Sequence, residues 1–275
     1  AIDQRTIKVV VDCSGSMSGE SIRQAKFALE KILDGLRLGD NFEIVAFGSA
    51  QKVLFGEVRP VNEASLAEAR AFVRGLDADM GGTEIGQALE TAYQSGNGKR
   101  GPVDLLLITD GESWDVEACL ERARRSRHRI FTVGVGSAVE EVLVRALADG
   151  TGGACELVSP NEDMAERVHR HFQRMSTPRA SARLIWPRNP IRMAPMKVET
   201  VFDGDTLHVF GWFYGRVTGE VSLEIDLGNG EKIIDQTVIK EFAGSDRGPV
   251  EGIPTLARMA AAKRISALED QDVAR

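Results

Sequence analysis

Three stretches of this chain end or interrupt apolar runs with oxygen-bearing side chains. "VVVDCSGSMSG" (Val9 to Gly19) leaves an apolar run on Asp12 and then offers Ser14 and Ser16 at alternate positions. "LLLITDGE" leaves another on Asp110, and "DADMGGTEIGQAL" presents Thr83 after two glycines. Brought together, these side chains make two carboxylates and three hydroxyls, an all-oxygen set without His or Cys. Such a set suits a hard cation, Mg²⁺, Mn²⁺ or Ca²⁺, rather than zinc or copper. Neutral hydroxyl ligands leave the ion much of its positive charge. An open coordination position would then favour a carboxylate from outside, and the site would be a docking point for an acidic side chain.

Something must carry the three loops to one place. From Thr6 to about Ser176, short apolar runs alternate with stretches of helical spacing. "TIKVVVD", "FEIVAF", "DLLLITD" and "RIFTVGV" fit strands buried on both faces. Ile22, Ala25, Leu29, Ile32 and Leu36 form one helical stripe, with Gly39 as its expected stop. Ile85, Leu89 and Ala92 form a second, and "DVEACLERARRS", "AVEEVLVRALADG" (expected to end at Gly150) and "NEDMAERVHRHFQRM" complete the set. The pattern predicts an α/β fold, a doubly wound, mainly parallel sheet with helices on both faces. "QKVLFG" would be an antiparallel edge strand. In such sheets ligands bind outside the carboxyl ends of the strands, where Asp12 and Asp110 both stand.

At "STPRAS" the style changes. "ARLIW", "MKVETVF", "TLHVFGWF", "EVSLEIDL" and "EKIIDQTVI" are β-type runs separated by turn signals such as "FDGDT" and "LGNGEK". They predict a small antiparallel β unit, followed by a C-terminal helix with Leu256, Met259, Ala260 and Leu268 on one face. The expected division is 1–177 for the α/β domain, 178–245 for the β unit and 246–275 for linker and helix, with Pro178 at the first junction.

The 275 residues are 43% hydrophobic and carry a net charge of −7, with a pI near 5.3. That balance argues against nucleic acid as the main partner, because phosphate binding needs a basic face. The one basic cluster, "RARRSRHR" (Arg122 to Arg129), reads as a solvated helix face. Cys13, Cys119 and Cys155 are sparse and odd in number, without a CxxC; this signals neither zinc nor a redox motif and leans toward a reducing compartment. No apolar run approaches the length of a membrane span.

"DCSGSMSG", Thr83 in "GGTEIGQAL" and "LLLITDGE" resemble the metal-ion-dependent adhesion site of the von Willebrand factor type A domain family, whose pattern is D-x-S-x-S, then Thr, then Asp. The resemblance spans about Thr6 to Ser176. It implies that Ser14, Ser16 and Thr83 bind the metal directly and that Asp12 and Asp110 often act through water. It also implies a doubly wound sheet with one antiparallel edge strand and a non-catalytic, protein-binding function. More weakly, the C-terminal part resembles the β region after the A domain in inter-alpha-trypsin inhibitor heavy chains and their bacterial relatives. Those proteins carry a preceding β domain that this sequence lacks.

Other readings compete. Ser14, Ser16 or Ser18, Thr83 and Asp110 could each cap a following helix. Asp77, Asp79 and Glu84 flank the site, and Trp114 lies on the loop after Asp110. A metal with carboxylates could hydrolyse phosphate esters, or the site could be vestigial on a scaffold. "GNGKR" lacks the elements of a phosphate-binding loop, and no serine pairs with His128, His169, His171 or His208.

Overall fold

The computed structural model describes residues 4–96, 103–111, 116–135, 141–159, 164–175, 180–196, 200–202, 206–228, 230–239 and 255–272. The chain divides into two compact units, Ala1–Ser176 and Thr177–Arg275.

The first unit is built on β1 (Thr6–Asp12), β2 (Asn41–Phe47), β5 (Val103–Thr109), β6 (Arg129–Val135) and β7 (Cys155–Val158), all parallel. β3 (Gln51–Val53) and β4 (Arg59–Pro60) both pair antiparallel with β2, so the order is β3-β2-β1-β5-β6-β7 with β4 beside β2. β1, β2 and β6 are buried along their whole length, as expected for strands covered on both faces. Helices α1 (Glu20–Gly35), α2 (Glu63–Arg74), α3 (Ile85–Gln94), α4 (Val116–Ser126), α5 (Glu141–Thr151) and α6 (Met164–Met175) cover the sheet. The doubly wound α/β architecture is therefore as the pattern predicts.

The differences are local. α1 stops at Gly35 rather than Gly39. Asp40 causes this: its carboxylate accepts from the Arg37 amide and ion-pairs with Arg5 at 2.6 Å, which turns the chain out of the helix. α5 runs through Gly150, where the Leu120 side chain of α4 occupies the space a Cβ would need. α2 has no counterpart in the periodicity reading. Its buried side is only Ser65, Ala69 and Val73, and its start is fixed by a capping box in which Asn62 and Ser65 bond reciprocally at 2.9 and 3.0 Å. The basic cluster is not uniformly solvated: Arg122, Arg124 and Arg125 are exposed, whereas His128 and Arg129 are buried. Arg129 makes a bidentate pair with Asp104 on the neighbouring strand at 2.7 and 2.8 Å and donates to the Met175 carbonyl. That satisfies a charge that would otherwise be costly inside.

The second unit contains a three-stranded antiparallel sheet, β12-β11-β8, from β8 (Ser181–Ile185), β11 (Gly219–Asp226) and β12 (Lys232–Ile239). The "LGNGEK" hairpin forms with Gly228 and Gly230 at positive φ. β9 (Arg192–Ala194) and β10 (Phe210–Trp212) make a separate ribbon, shorter than the "TLHVFGWF" run suggests. Trp186 and Trp212 are half-buried rather than core, with Trp186 edge-on to Phe213. α7 (Thr255–Asp272) lies against β9; of the expected apolar face Met259 and Leu268 are exposed and Ala260 is half-buried. Pro178 and most of "FDGDT" lie outside the described residues.

Candidate metal centre

The strand order leaves β1 directly between β2 and β5, and chain progression reverses there: β2 lies to one side, β5 and then β6 to the other. Loops after adjacent strands diverge at such a reversal and open a crevice at their carboxyl ends. Asp12 ends β1 and Asp110 follows β5, so both acids stand at this crevice.

Asp12 is fully buried. Its Oδ1 accepts from the Ser14 amide at 2.8 Å and its Oδ2 from the Thr109 hydroxyl at 2.6 Å. Both oxygens are thus fixed by protein donors. Ser14 is buried, Ser16 is exposed, and their hydroxyls lie 3.0 Å apart. Ser16 Oγ donates to Asp110 Oδ1 at 2.8 Å across 94 residues of sequence. A continuous line of oxygens therefore runs from Ser14 through Ser16 to Asp110.

Thr83 arrives on the third loop. Gly15 N donates to the Gly81 carbonyl at 2.9 Å and Met80 N to the Cys13 carbonyl at 3.0 Å, so this loop is hydrogen-bonded to the first. Ser49, just past β2, anchors its other side through Ser49 N to Met80 O and Gly82 N to Ser49 Oγ, both 2.7 Å. Gly81 sits at φ 80°, a left-handed conformation natural to glycine. Thr83 then packs on Gly111: a Cβ added there would stand 2.5 Å from Thr83 Cγ2 and 3.1 Å from its Oγ1. Only glycine after Asp110 lets the threonine come so close. All five residues singled out in the sequence, Asp12, Ser14, Ser16, Thr83 and Asp110, are accordingly gathered at one crevice.

The capping alternatives find no support in two of the three loops. No serine side chain caps the amino end of the 3₁₀ turn Gly15–Met17 or of α1 (Ser18 Oγ instead donates to the Gly15 carbonyl at 2.7 Å), and the residue before α3 is Glu84, not Thr83. Trp114 and the start expected for the next helix lie outside the described residues. Asp77 and Asp79 are exposed, and Asp79 lies 3.9 Å from Lys52. Cys13 is wholly buried, and burial, with Asp12 beside it, pushes its thiol up to about 12, so it is a packing residue. His171 is buried against Phe131 and donates from Nε2 to the Ala154 carbonyl at 2.7 Å, whereas His169 is exposed beside Gln173. They do not form a metal pair.

Thr109 is the residue the sequence reading missed. Its hydroxyl links Asp12 to the Gly111 amide, donating at 2.6 Å and accepting at 3.0 Å. It reads as one more strand residue until β1 and β5 are known to be neighbours.

Electrostatically the crevice is acidic. Burial raises Asp12 above the ordinary carboxylate range against the pull of its hydrogen bonds. Burial also raises Asp110, and the charge of Asp12 adds to it. Two carboxylates that disfavour each other's ionisation are what a cation relieves. Spacing agrees: cis oxygens around a Mg²⁺ ion with bonds near 2.05 Å lie about 2.9 Å apart, and the Ser14–Ser16 and Ser16–Asp110 separations are 3.0 and 2.8 Å. Among the described residues no three of His, Cys, Asp and Glu gather as a metal cluster, so any ion here would depend on the hydroxyls.

Residues 7–169 match the von Willebrand factor type A domain. A von Willebrand factor A domain-containing protein of Dictyostelium discoideum is 30% identical over 222 residues, covering 79% of this chain and 27% of that protein. Human von Willebrand factor A domain-containing protein 5A is 29% identical over 238 residues, covering 79% of this chain and 30% of its own length. The chain thus spans about a quarter to a third of these relatives, and the likeness runs beyond the first unit. Among solved structures, a von Willebrand factor type A protein from Catenulispora acidiphila superposes with a TM-score of 0.58 at 21% identity, covering 86% of this chain and 66% of that one. Proximal thread matrix protein 1 of the mussel byssus superposes at 0.52 with 19% identity, covering 62% and 46%. The sheet order, the crevice and these matches lead to one conclusion: the chain belongs to the von Willebrand factor type A domain family.

Proposed function

We propose that this chain is a metal-dependent protein-binding module. One Mg²⁺-type ion would be held by Ser14, Ser16 and Thr83 with Asp12 and Asp110 behind them, and would capture an acidic side chain of a partner. The observation that carries the reading is the line of oxygens Ser14–Ser16–Asp110, set at the spacing of octahedral neighbours and open to solvent at Ser16. Asp12 supports it: with both oxygens engaged by Ser14 and Thr109, it orients the loop and supplies charge from behind. Once bound, the ion supplies an electrophilic point of attachment for a carboxylate. The protein's own residues would hold the loop geometry and leave an open face at Ser16.

The mussel thread protein is described with its adhesion-site motif occupied by zinc. Zinc therefore belongs in the titration beside Mg²⁺, Mn²⁺ and Ca²⁺, although the oxygen donors here suit the harder ions. Calorimetric titration of the chain with Mg²⁺ should show one site, and Asp12→Ala should weaken it about 10- to 100-fold. Equal affinity in the two proteins would refute the assignment. Capture of a native partner should be lost in EDTA and on Thr83→Ala. Capture indifferent to both would leave the metal structural.

A further inference from the structure

We propose that the β12 edge of the second unit pairs antiparallel with β12 of a second copy, about a two-fold axis through Gln236. Among the described residues β12 pairs with β11 on one side only. It is exposed from Lys232 through Val238, on both faces of the sheet. Ile233, Ile234 and Val238 stand 51, 59 and 59% exposed. Natural edge strands are blunted by lysine, proline, bulges or brevity. β12 has no proline, its ladder to β11 is unbroken from Lys232 to Ile239, and its single lysine stands at its first residue. A strand of this kind recruits another strand.

The identity of that strand follows from register and charge. In an antiparallel ribbon the outward amide groups of a strand come from alternate residues. Two identical edges related by a two-fold axis must therefore match residues of equal parity, and the axis must pass through a residue. An axis through Asp235 would set that carboxylate against its own copy, which is unfavourable. Moving the axis one residue to Gln236 sets Ile234 against Val238, Ile233 against Ile239 and Asp235 against Thr237. Gln236 then meets itself, amide to amide. Every apolar residue of the strand meets an apolar one, and no two carboxylates oppose. The one like-charge pairing falls at the end of the ladder, where Lys232 stands opposite position 240, a second lysine that lies outside the described residues. Axes further along shorten the ladder. The contact is isologous and closes as a dimer. Such a dimer carries two metal centres, so a partner bearing repeated acidic sites would be held bivalently, with a gain no single site provides.

Sedimentation equilibrium of the full 275-residue chain tests the pairing, with circular dichroism to confirm folding. Wild type should show a concentration-dependent monomer–dimer equilibrium. Ile234→Lys or Val238→Glu alone should each weaken it by at least about tenfold. The double variant should recover most of the loss, because each introduced lysine then faces an introduced glutamate across the axis. Under mild oxidation Gln236→Cys should form a disulfide-linked dimer, while Asp235→Cys, facing Thr237, should not, beyond the level of wild type. A chain that stays monomeric at all concentrations overturns the proposal. So does a dimer insensitive to Ile234→Lys, or equal cross-linking at 235 and 236.

Discussion

The two units treat their strands in opposite ways. In the first, β1, β2 and β6 are buried at every residue, and even their charged members, Lys8, Asp12, Glu43 and Arg129, lie inside. In the second, the buried apolar residues of the described chain are few, namely Ala182, Ala194, Phe202 and Val221, and β12 is open on both faces. Regular secondary structure alone therefore does not make a domain. Antiparallel pairing supplies hydrogen bonds in both units, but stability comes from apolar area removed from water, and the second unit removes little. The proposed metal site sits on the unit whose strands cannot move without disturbing a packed core. The apolar edge sits on the one that still has surface to bury.

The contrast can be broken most directly by separating the halves. Residues 1–177 should unfold in one cooperative transition by thermal circular dichroism, while 178–275 alone should show none. Independent cooperative folding of the second half would erase the contrast. Next come single truncations. Phe131 is fully buried, stacked edge-on with His171 and lying under the Arg129 guanidinium. Phe131→Ala should cost about 3–5 kcal/mol in urea denaturation, whereas Ile234→Ala, measured where the chain is monomeric, should stay within about 0.5 kcal/mol.

Acid should act on the first unit. Burial, helped by the charge of Lys8 2.9 Å away, holds His128 down to about 4; burial likewise holds His171 at about 4, with Arg174 adding to it and Glu156 opposing. Their unfolded values are near 6.5, so between about 6.5 and 4 the unfolded chain binds protons that the folded chain refuses. The stability they allow is complete above about 6.5 and is lost as the pH falls toward 4, by up to about 3 kcal/mol for each. Glu43, Asp12 and Asp110, raised by burial, give the opposite slope. The comparison to make is therefore wild type against His128→Gln plus His171→Gln, which should fall less steeply across that window. Identical slopes would mean the two rings do not govern it. The smallest effect is at the α2 cap, where Asn62→Ala should cost about 1 kcal/mol and leave the metal centre untouched.

Much of the first unit is legible in the residues, because its strands are continuous apolar runs and its site residues are polar side chains placed where such runs end. What escapes is whatever depends on who neighbours whom. α2 buries a serine, an alanine and a valine, a stripe too small to register as periodic, and its capping box uses Ser65 where the usual pattern has Glu or Gln. "RARRSRHR" reads as one solvated surface because the carboxylate that draws Arg129 inward, Asp104, lies 25 residues away on another strand. Thr109 is hidden for the same reason, 97 residues from the Asp12 it holds. In the second unit the periodicity finds β8, β11, β12 and part of β10 but not β9, and "MKVETVF" carries only an isolated bridge at Val201 among its described residues; the same alternation is read as burial where there is little to be buried against.

The hydrogen bond from Ser16 to Asp110 spans 94 residues, and Thr83 lies between them in the sequence. The Thr83 loop is bonded to the Ser14–Ser16 loop through Gly15–Gly81 and Met80–Cys13, but Asp110 joins them only when β5 has been made and laid beside β1. At typical synthesis rates that is a delay of about 5–20 s after Ser16 is translated. During that time the proposed site lacks its second carboxylate, Asp110. On the reading proposed above, metal capture would thus wait for β5, while β6 and β7 of the same sheet are still to be made.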